Sequence, residues 1–276
     1  RVAILSENRS EYVELLLAVA KLGAIAACQN WRLLGRELSH CIELVAPKLL
    51  LTSARHEDMG RQHTGRAKVL VFGPEYEAAL ERAADTPVVA ACDPEDGVVI
   101  LYTSGTTGLP KGALISQRAQ IARAVVQLVD LPTTADDAFV AWAPLFHMVS
   151  TDTVFMKLIQ GGKVIVADGF DADGLARIVA REKLGRFTVM PGMITPLLDA
   201  MTRGDHRAAG VRWLGVMADL VPREQIAAVT RTFRAPYINS FGSTETGLPP
   251  ASRSVIPVGV VPKNLDKKIN SFCEIK

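Results

Sequence analysis

The sequence predicts an α/β fold with largely parallel sheets, divided between two sheets rather than gathered into one. Strand-like and helix-like segments alternate along most of the chain. The run Val98-Val99-Ile100-Leu101-Tyr102 is apolar without alternation, as suits a strand covered on both faces. The polar, proline-bearing residues 131–137 interrupt a succession of strands too long for one open sheet of this size.

In order, residues 2–5 read as a strand. Asn8, three residues before Glu11, opens a helix whose apolar positions Tyr12, Leu15, Leu16, Val19 and Ala20 share a face and which Gly23 ends. A helix follows at 36–45, strands at 48–52 and 68–72, a helix at 75–83 and the strand at 98–102. Beyond residue 115, helices are expected at 117–129, 151–159, 173–183, 194–201 and 222–232. Strands are expected between them at 138–142, 163–167, 187–190, 211–216 and 237–240. Asp171 or Asp173 suits the positive N-terminal end of the helix at 173–183. From Pro249 the chain becomes rich in proline and then in lysine.

With 49% hydrophobic and 22% charged residues among 276, the chain can bury one large core or two smaller ones, which argues against disorder. The 31 Lys+Arg nearly balance the 29 Asp+Glu, with no block of like charge, which disfavours a nucleic-acid partner. Cys28, Cys41, Cys92 and Cys273 show no metal or disulfide spacing and suit a reducing, cytoplasmic compartment. The most apolar stretch, 12–28, contains Glu14 and Lys21, so no transmembrane span is expected. The chain opens on Arg1 within a strand-like run rather than on Met, so residues are expected upstream and no signal peptide is read.

Thr103-Ser104-Gly105-Thr106-Thr107-Gly108-Leu109-Pro110-Lys111-Gly112 places hydroxyls, glycines and one lysine just after the buried-strand pattern. Backbone N–H groups, hydroxyls and a point charge are what a polyphosphate requires. Pro110 before the lysine and Gly112 after it exclude the Walker pattern. Alone, such a decapeptide serves equally as a mobile turn. A second segment, Ile238-Asn239-Ser240-Phe241-Gly242-Ser243-Thr244-Glu245-Thr246-Gly247, puts hydroxyls and a carboxylate at another strand end, where α/β sheets bind ligands. Glu245 suits a divalent ion, Thr244 a phosphate and Phe241 the face of a base.

Together the two motifs resemble the adenylate-forming, AMP-binding superfamily, in its acyl-CoA synthetase branch of fatty- and aryl-acid CoA ligases. Residues 102–112 agree with its phosphate loop. Residues 239–245 agree with its Tyr-Gly-x-Thr-Glu motif except that Phe241 replaces Tyr. Pro144-Leu145-Phe146-His147-Met148 is similar to a third landmark, and residues 215–220 stand where the family has Ser-Gly-Gly-Ala-Pro, with Asp219 in place of Pro.

The resemblance implies two stacked α/β subdomains with a small distorted β-barrel beginning near the end. The first would span 1–130 with the phosphate loop, the second 131–250 with the acyl and adenine pocket, and the start of the barrel 251–276; the site would lie between the subdomains. Thr103, Ser104, Gly105, Thr106, Thr107, Gly108 and Lys111 would line the triphosphate of ATP. Asn239, Phe241 and Gly242 would serve the adenine, Thr244 the α-phosphate and Glu245 Mg²⁺. Thr244, Glu245, Lys111 and His147 would be the catalytic residues, and His147 in the family gates the carboxylate. Met148, Val149, Met193, Met217, Ala218 and Asp219 would line the acyl or aryl pocket; methionines at helical spacing equally serve as core, and Asp219 equally as a solvated carboxylate.

The implied reaction is attack of a small carboxylic acid on ATP, giving acyl-AMP and then a thioester with coenzyme A. Homo-oligomerisation stays open, as do the acid and the acceptor. The family's ribose-binding Asp, its hinge and its C-terminal lysine domain are not in these 276 residues. A fragment binding ATP with little adenylation of its own is therefore expected. A non-catalytic nucleotide-binding remnant or scaffold is the alternative, and identification of the nucleotide product separates either from a phosphotransferase.

Overall fold

Short apolar runs pair as strands and amphipathic segments pack over them along the whole computed structural model, which describes residues 1–104 and 108–274. The first part of the chain runs β1 (Val2–Leu5), α1 (Ser10–Lys21), β2 (Ala26–Cys28), α2 (Arg36–Val45), β3 (Leu49–Thr52), α3 (Glu57–His63), β4 (Lys68–Val71), α4 (Pro74–Glu81), β5 (Gly97–Thr103) and β6 (Lys111–Ser116). Its six strands are ordered β4-β3-β1-β2-β5-β6. Every pairing is parallel except β5 with β6. Ala3 and Leu5 share one face of β1 and pack with Ala27, Leu50 and Ile100 against Leu38, Ile42 and Val45, which recur at helical spacing on α2.

The chain continues through α5 (Gln117–Asp130), β7 (Ala138–Ala141), α6 (Met148–Ile159), β8 (Val164–Val166), α7 (Ala172–Arg181), β9 (Leu184–Phe187), α8 (Ile194–Arg203), β10 (Val211–Leu214), α9 (Arg223–Phe233), β11 (Tyr237–Ser243) and β12 (Gly247–Ile256). The second sheet is ordered β12-β11-β10-β9-β7-β8, parallel except for β11 with β12. Its core gathers Val140, Trp142, Leu175, Val179, Phe187, Leu214, Ile226, Phe233 and Tyr237. The chain forms two compact units, one of Arg1–Gln120 with Pro144–Thr151 and another of Ile121–Ala143 with Asp152–Lys276. The expected subdomain limit at residue 131 falls within the second unit.

Two sheets and their parallel character follow the sequence reading; several elements depart from it. The strand expected at 187–190 is β9, Leu184–Phe187, because its ladder with β10 pairs Leu184 with Val211 and Phe187 with Leu214. Asn8 does not cap α1. Arg9 is the extended N-cap residue, and the Asn8 carboxamide oxygen accepts instead from the backbone N–H of Leu145 at 2.8 Å. Of residues 251–276, expected to begin the barrel, 251–256 belong to β12, and the described residues after Ile256 form no strand. The antiparallel strands β6 and β12 carry no clear signal: β6 is mostly exposed, so it shows neither a buried run nor clean alternation.

Candidate functional site

The phosphate-loop motif is the connection between β5 and its antiparallel neighbour. The ladder sets Lys111, first residue of β6, opposite Thr103, last residue of β5. A hairpin thus returns the lysine to the strand end that carries the hydroxyls. Thr103 is half-buried, and Ser104, Gly108 and Lys111 are exposed; the predicted ligands Gly105, Thr106 and Thr107 lie outside the described residues. Gly108 has φ +104°, a conformation that a Cβ would strain.

Side chains that the motif does not contain hold its flanks. The Tyr102 hydroxyl donates to the Cys41 carbonyl at 2.9 Å and accepts from Gln29 Nε2 at 3.0 Å. Burial raises both that phenol and the Cys41 thiol, the latter to about 12. His40 Nε2 lies 3.2 Å from the Pro110 carbonyl, to which its N–H donates. Gly112 leaves room for the strand beside it, since a Cβ there would lie 3.0 Å from Ile100 Cγ2.

His147 follows a bend held from within the same unit. Leu145 N–H is bonded to Asn8, and Thr151 Oγ1 donates to the Leu145 carbonyl at 2.6 Å. Phe146 meets Trp31 edge-on at 6.1 Å between ring centroids, and the Arg32 guanidinium stands over both rings. His147 Nδ1 accepts from Val149 N–H at 3.3 Å, which leaves Nε2 to carry the proton of the neutral ring. His147 is exposed, yet desolvation by the atoms packed around its ring first and the Arg32 cation second lower its pKa. Met148 and Val149 are themselves buried, as core residues are.

In the second unit, the segment expected to serve the adenine is again a hairpin, between β11 and β12. Phe241 is 55% exposed, presenting a ring face. Asn239 is buried; its Nδ2 donates to the Leu265 carbonyl at 2.7 Å and its Oδ1 accepts from Lys267 Nζ at 3.1 Å. Lys267 also pairs with Asp219, whose carboxyl it holds below the ordinary value. Gly242 is required for closure of the hairpin, because its Cβ would lie 2.1 Å from the Gly247 carbonyl oxygen. Ser243 and Thr246 exchange bonds across the turn that carries Thr244 and Glu245.

Met193 packs against the second core, and Ala218 is buried within it. Met217 has a left-handed backbone at φ +45°. Sequence reasoning passed over Arg123 and Asp152. Arg123 Nη2 donates to the carbonyls of Thr244 at 3.1 Å and Glu245 at 2.6 Å, while Nη1 faces the Asp152 carboxylate at 3.3 Å. No sequence signal separated this arginine from those of a solvated helix face.

Two α/β sheets with Gly- and hydroxyl-bearing loops at strand ends define a nucleotide-binding class of protein. Comparison with known proteins places the chain within that class: it belongs to the AMP-binding enzyme family, matched over residues 1–269. It is 31% identical over 257 residues to indoleacetate–CoA ligase of Aromatoleum aromaticum, covering 89% of this chain and 50% of that enzyme. It is 27% identical to 4-chlorobenzoate–CoA ligase of a Pseudomonas species, covering 88% of this chain and 48% of that enzyme. The chain thus spans about half the length of these curated relatives. A Rhodopseudomonas palustris structure, provisionally assigned as a long-chain-fatty-acid CoA ligase, superposes with a TM-score of 0.80 at 28% identity, covering 90% of this chain and 64% of that one.

Proposed function

We propose that this chain carries the ATP- and carboxylate-binding residues of an AMP-forming acid–CoA ligase acting on an aryl or fatty acid. The observation that carries the reading is the hairpin register opposing Lys111 to Thr103, together with a second hairpin presenting Thr244 and Glu245. Thr103, Ser104 and Lys111, with Gly105, Thr106, Thr107 and Gly108 of the same loop, bind the phosphates of ATP. Phe241 stacks on the adenine, beside Asn239 and Gly242. His147, neutral and with Nε2–H outward, orients a carboxylate oxygen by donating to it. Met148, Val149, Met193, Met217, Ala218 and Asp219 are the residues assigned to the acid substrate.

In the reaction, a substrate carboxylate oxygen bonds to the α-phosphorus of ATP as the bond to pyrophosphate breaks. The sulfur of coenzyme A then bonds to the acyl carbon and AMP leaves. The chain contributes positioning and charge neutralisation rather than a nucleophile. One carboxylate joined to phosphate oxygens is a donor set that suits Mg²⁺, which keeps several waters, and Glu245 would hold it. When bound, the ion would neutralise phosphate charge. Among the described residues there is no cluster of three or more His, Cys, Asp or Glu side chains able to hold a metal. The four cysteines are free thiols, which supports a cytoplasmic setting, and no described helix is long and apolar enough to cross a membrane.

The test is incubation with Mg·ATP and a panel of indole-3-acetate, 4-chlorobenzoate and medium-chain fatty acids, followed by identification of the nucleotide product. Binding of Mg·ATP with little turnover is expected, and whatever nucleotide product forms is expected to be AMP with pyrophosphate. ADP as the product, or no binding of Mg·ATP, overturns the reading. Thr244→Val should cost about 3 kcal/mol of transition-state stabilisation, read as the rate of carboxylate-dependent pyrophosphate release.

A further inference from the structure

α5 passes beneath the turn that joins β11 to β12, and its Arg123 is only 6% exposed; Asp152, on α6, is fully buried. Charges are withdrawn from water at a heavy cost unless geometry and further hydrogen bonds compensate for it. Here they do. One nitrogen of the Arg123 fork faces the Asp152 carboxylate, and the other donates to the consecutive carbonyls of Thr244 and Glu245. Gly247 makes the approach possible: at φ +75°, a Cβ would lie 2.8 Å from Arg123 Cδ and 3.0 Å from Asp152 Oδ2. A second buried cation, Arg186 on β9, donates to Gln127 Oε1 at 2.8 Å and also feels the Asp152 charge.

We propose that Arg123, braced by Asp152, is the positioning residue of the nucleotide turn, fixing the backbone of Thr244 and Glu245 so that their side chains meet the α-phosphate and its counter-ion. The inference rests on the ligase reading above. The planar guanidinium holds the Asp152 carboxylate through Nη1 and both carbonyls through Nη2, so the ion pair fixes the direction from which Nη2 meets the turn, which a freely rotating ammonium does not. Arg123 touches neither nucleotide nor acid; it acts through the turn.

The experiment measures binding of AMP and of adenosine by calorimetry to the wild-type protein, Arg123→Met and Arg123→Lys, with melting temperature recorded for each. Arg123→Met strips the buried Asp152 carboxylate of its ion pair, so it is combined with Asp152→Asn, which removes that charge, and the fold is expected to survive. If it does not, Arg123→Lys, which keeps the charge, carries the test. The expected result is a loss of roughly tenfold or more in AMP affinity with adenosine affinity unchanged, and partial recovery in Arg123→Lys. A merely structural role would weaken both ligands alike. Folded variants that bind AMP as the wild type does, or that lose both ligands equally, overturn the proposal while the ligase reading stands. A wild-type protein that binds neither AMP nor ATP overturns the reading and the proposal with it.

Discussion

His147 and Tyr102 owe their chemistry to their neighbours, for Tyr102 remote in the chain and for His147 both adjacent, at Val149, and remote, at Arg32. A protonated imidazole cannot accept at Nδ1, so the bond from Val149 N–H opposes charging in the same direction as desolvation and Arg32. His147 should therefore titrate below the ordinary value of about 6.5, checked by NMR of the ring carbons. The folded pKa being the lower one, the stability that His147 contributes is complete above about pH 6.5 and lost as pH falls through the folded pKa. Tyr102→Phe removes the partner of the buried Gln29 amide and of the Cys41 carbonyl. It should cost about 1–3 kcal/mol in urea unfolding.

At the scale of elements, both motifs are hairpins in which a parallel strand turns into an antiparallel edge strand. Such a connection keeps the two ends of a loop one strand spacing apart, so Thr103 and Lys111 are neighbours although eight positions separate them in sequence. The glycines around these elements are packing requirements as much as turn residues. At Gly215, with φ +71°, a Cβ would fall 2.0 Å from Tyr237 Cζ, inside the ring. Gly215→Ala should therefore destabilise the second unit by about 3 kcal/mol, visible as a lowered denaturation midpoint. The motif residues and most of the parallel strands were legible in sequence; β2, only three buried residues long, was too short to show a pattern. The antiparallel edge strands were not: β6 is mostly exposed and loses the hydrophobic pattern, and the prolines and serines of β12 read as loop although much of that strand is buried. Asn8 was misread for a related reason: its capping spacing is local, whereas the N–H it serves is 137 residues away.

For the whole molecule, the ligase reading predicts that nucleotide binding is coupled to stability. Mg·ATP at a hundred times its dissociation constant should stabilise the protein by about 2.7 kcal/mol. Lys111 is exposed and belongs to an edge strand, so Lys111→Met should leave the melting temperature without nucleotide nearly unchanged and abolish most of the shift with it. Differential scanning calorimetry with and without Mg·ATP checks both arms.

The sequence by itself determined the α/β class, the two sheets, the residue types of both loops and the family they signify, because hydrophobic period and loop chemistry are written locally. Tertiary structure alone decided which charges are buried and which side chains hold the loops. Arg123 meets Asp152 across 29 residues of chain and the Glu245 carbonyl across 122. A guanidinium on a helix looks the same in sequence whether it faces water or the underside of a turn. Packing distinguishes the two, through the register that brings distant segments together and the glycine that leaves room for them.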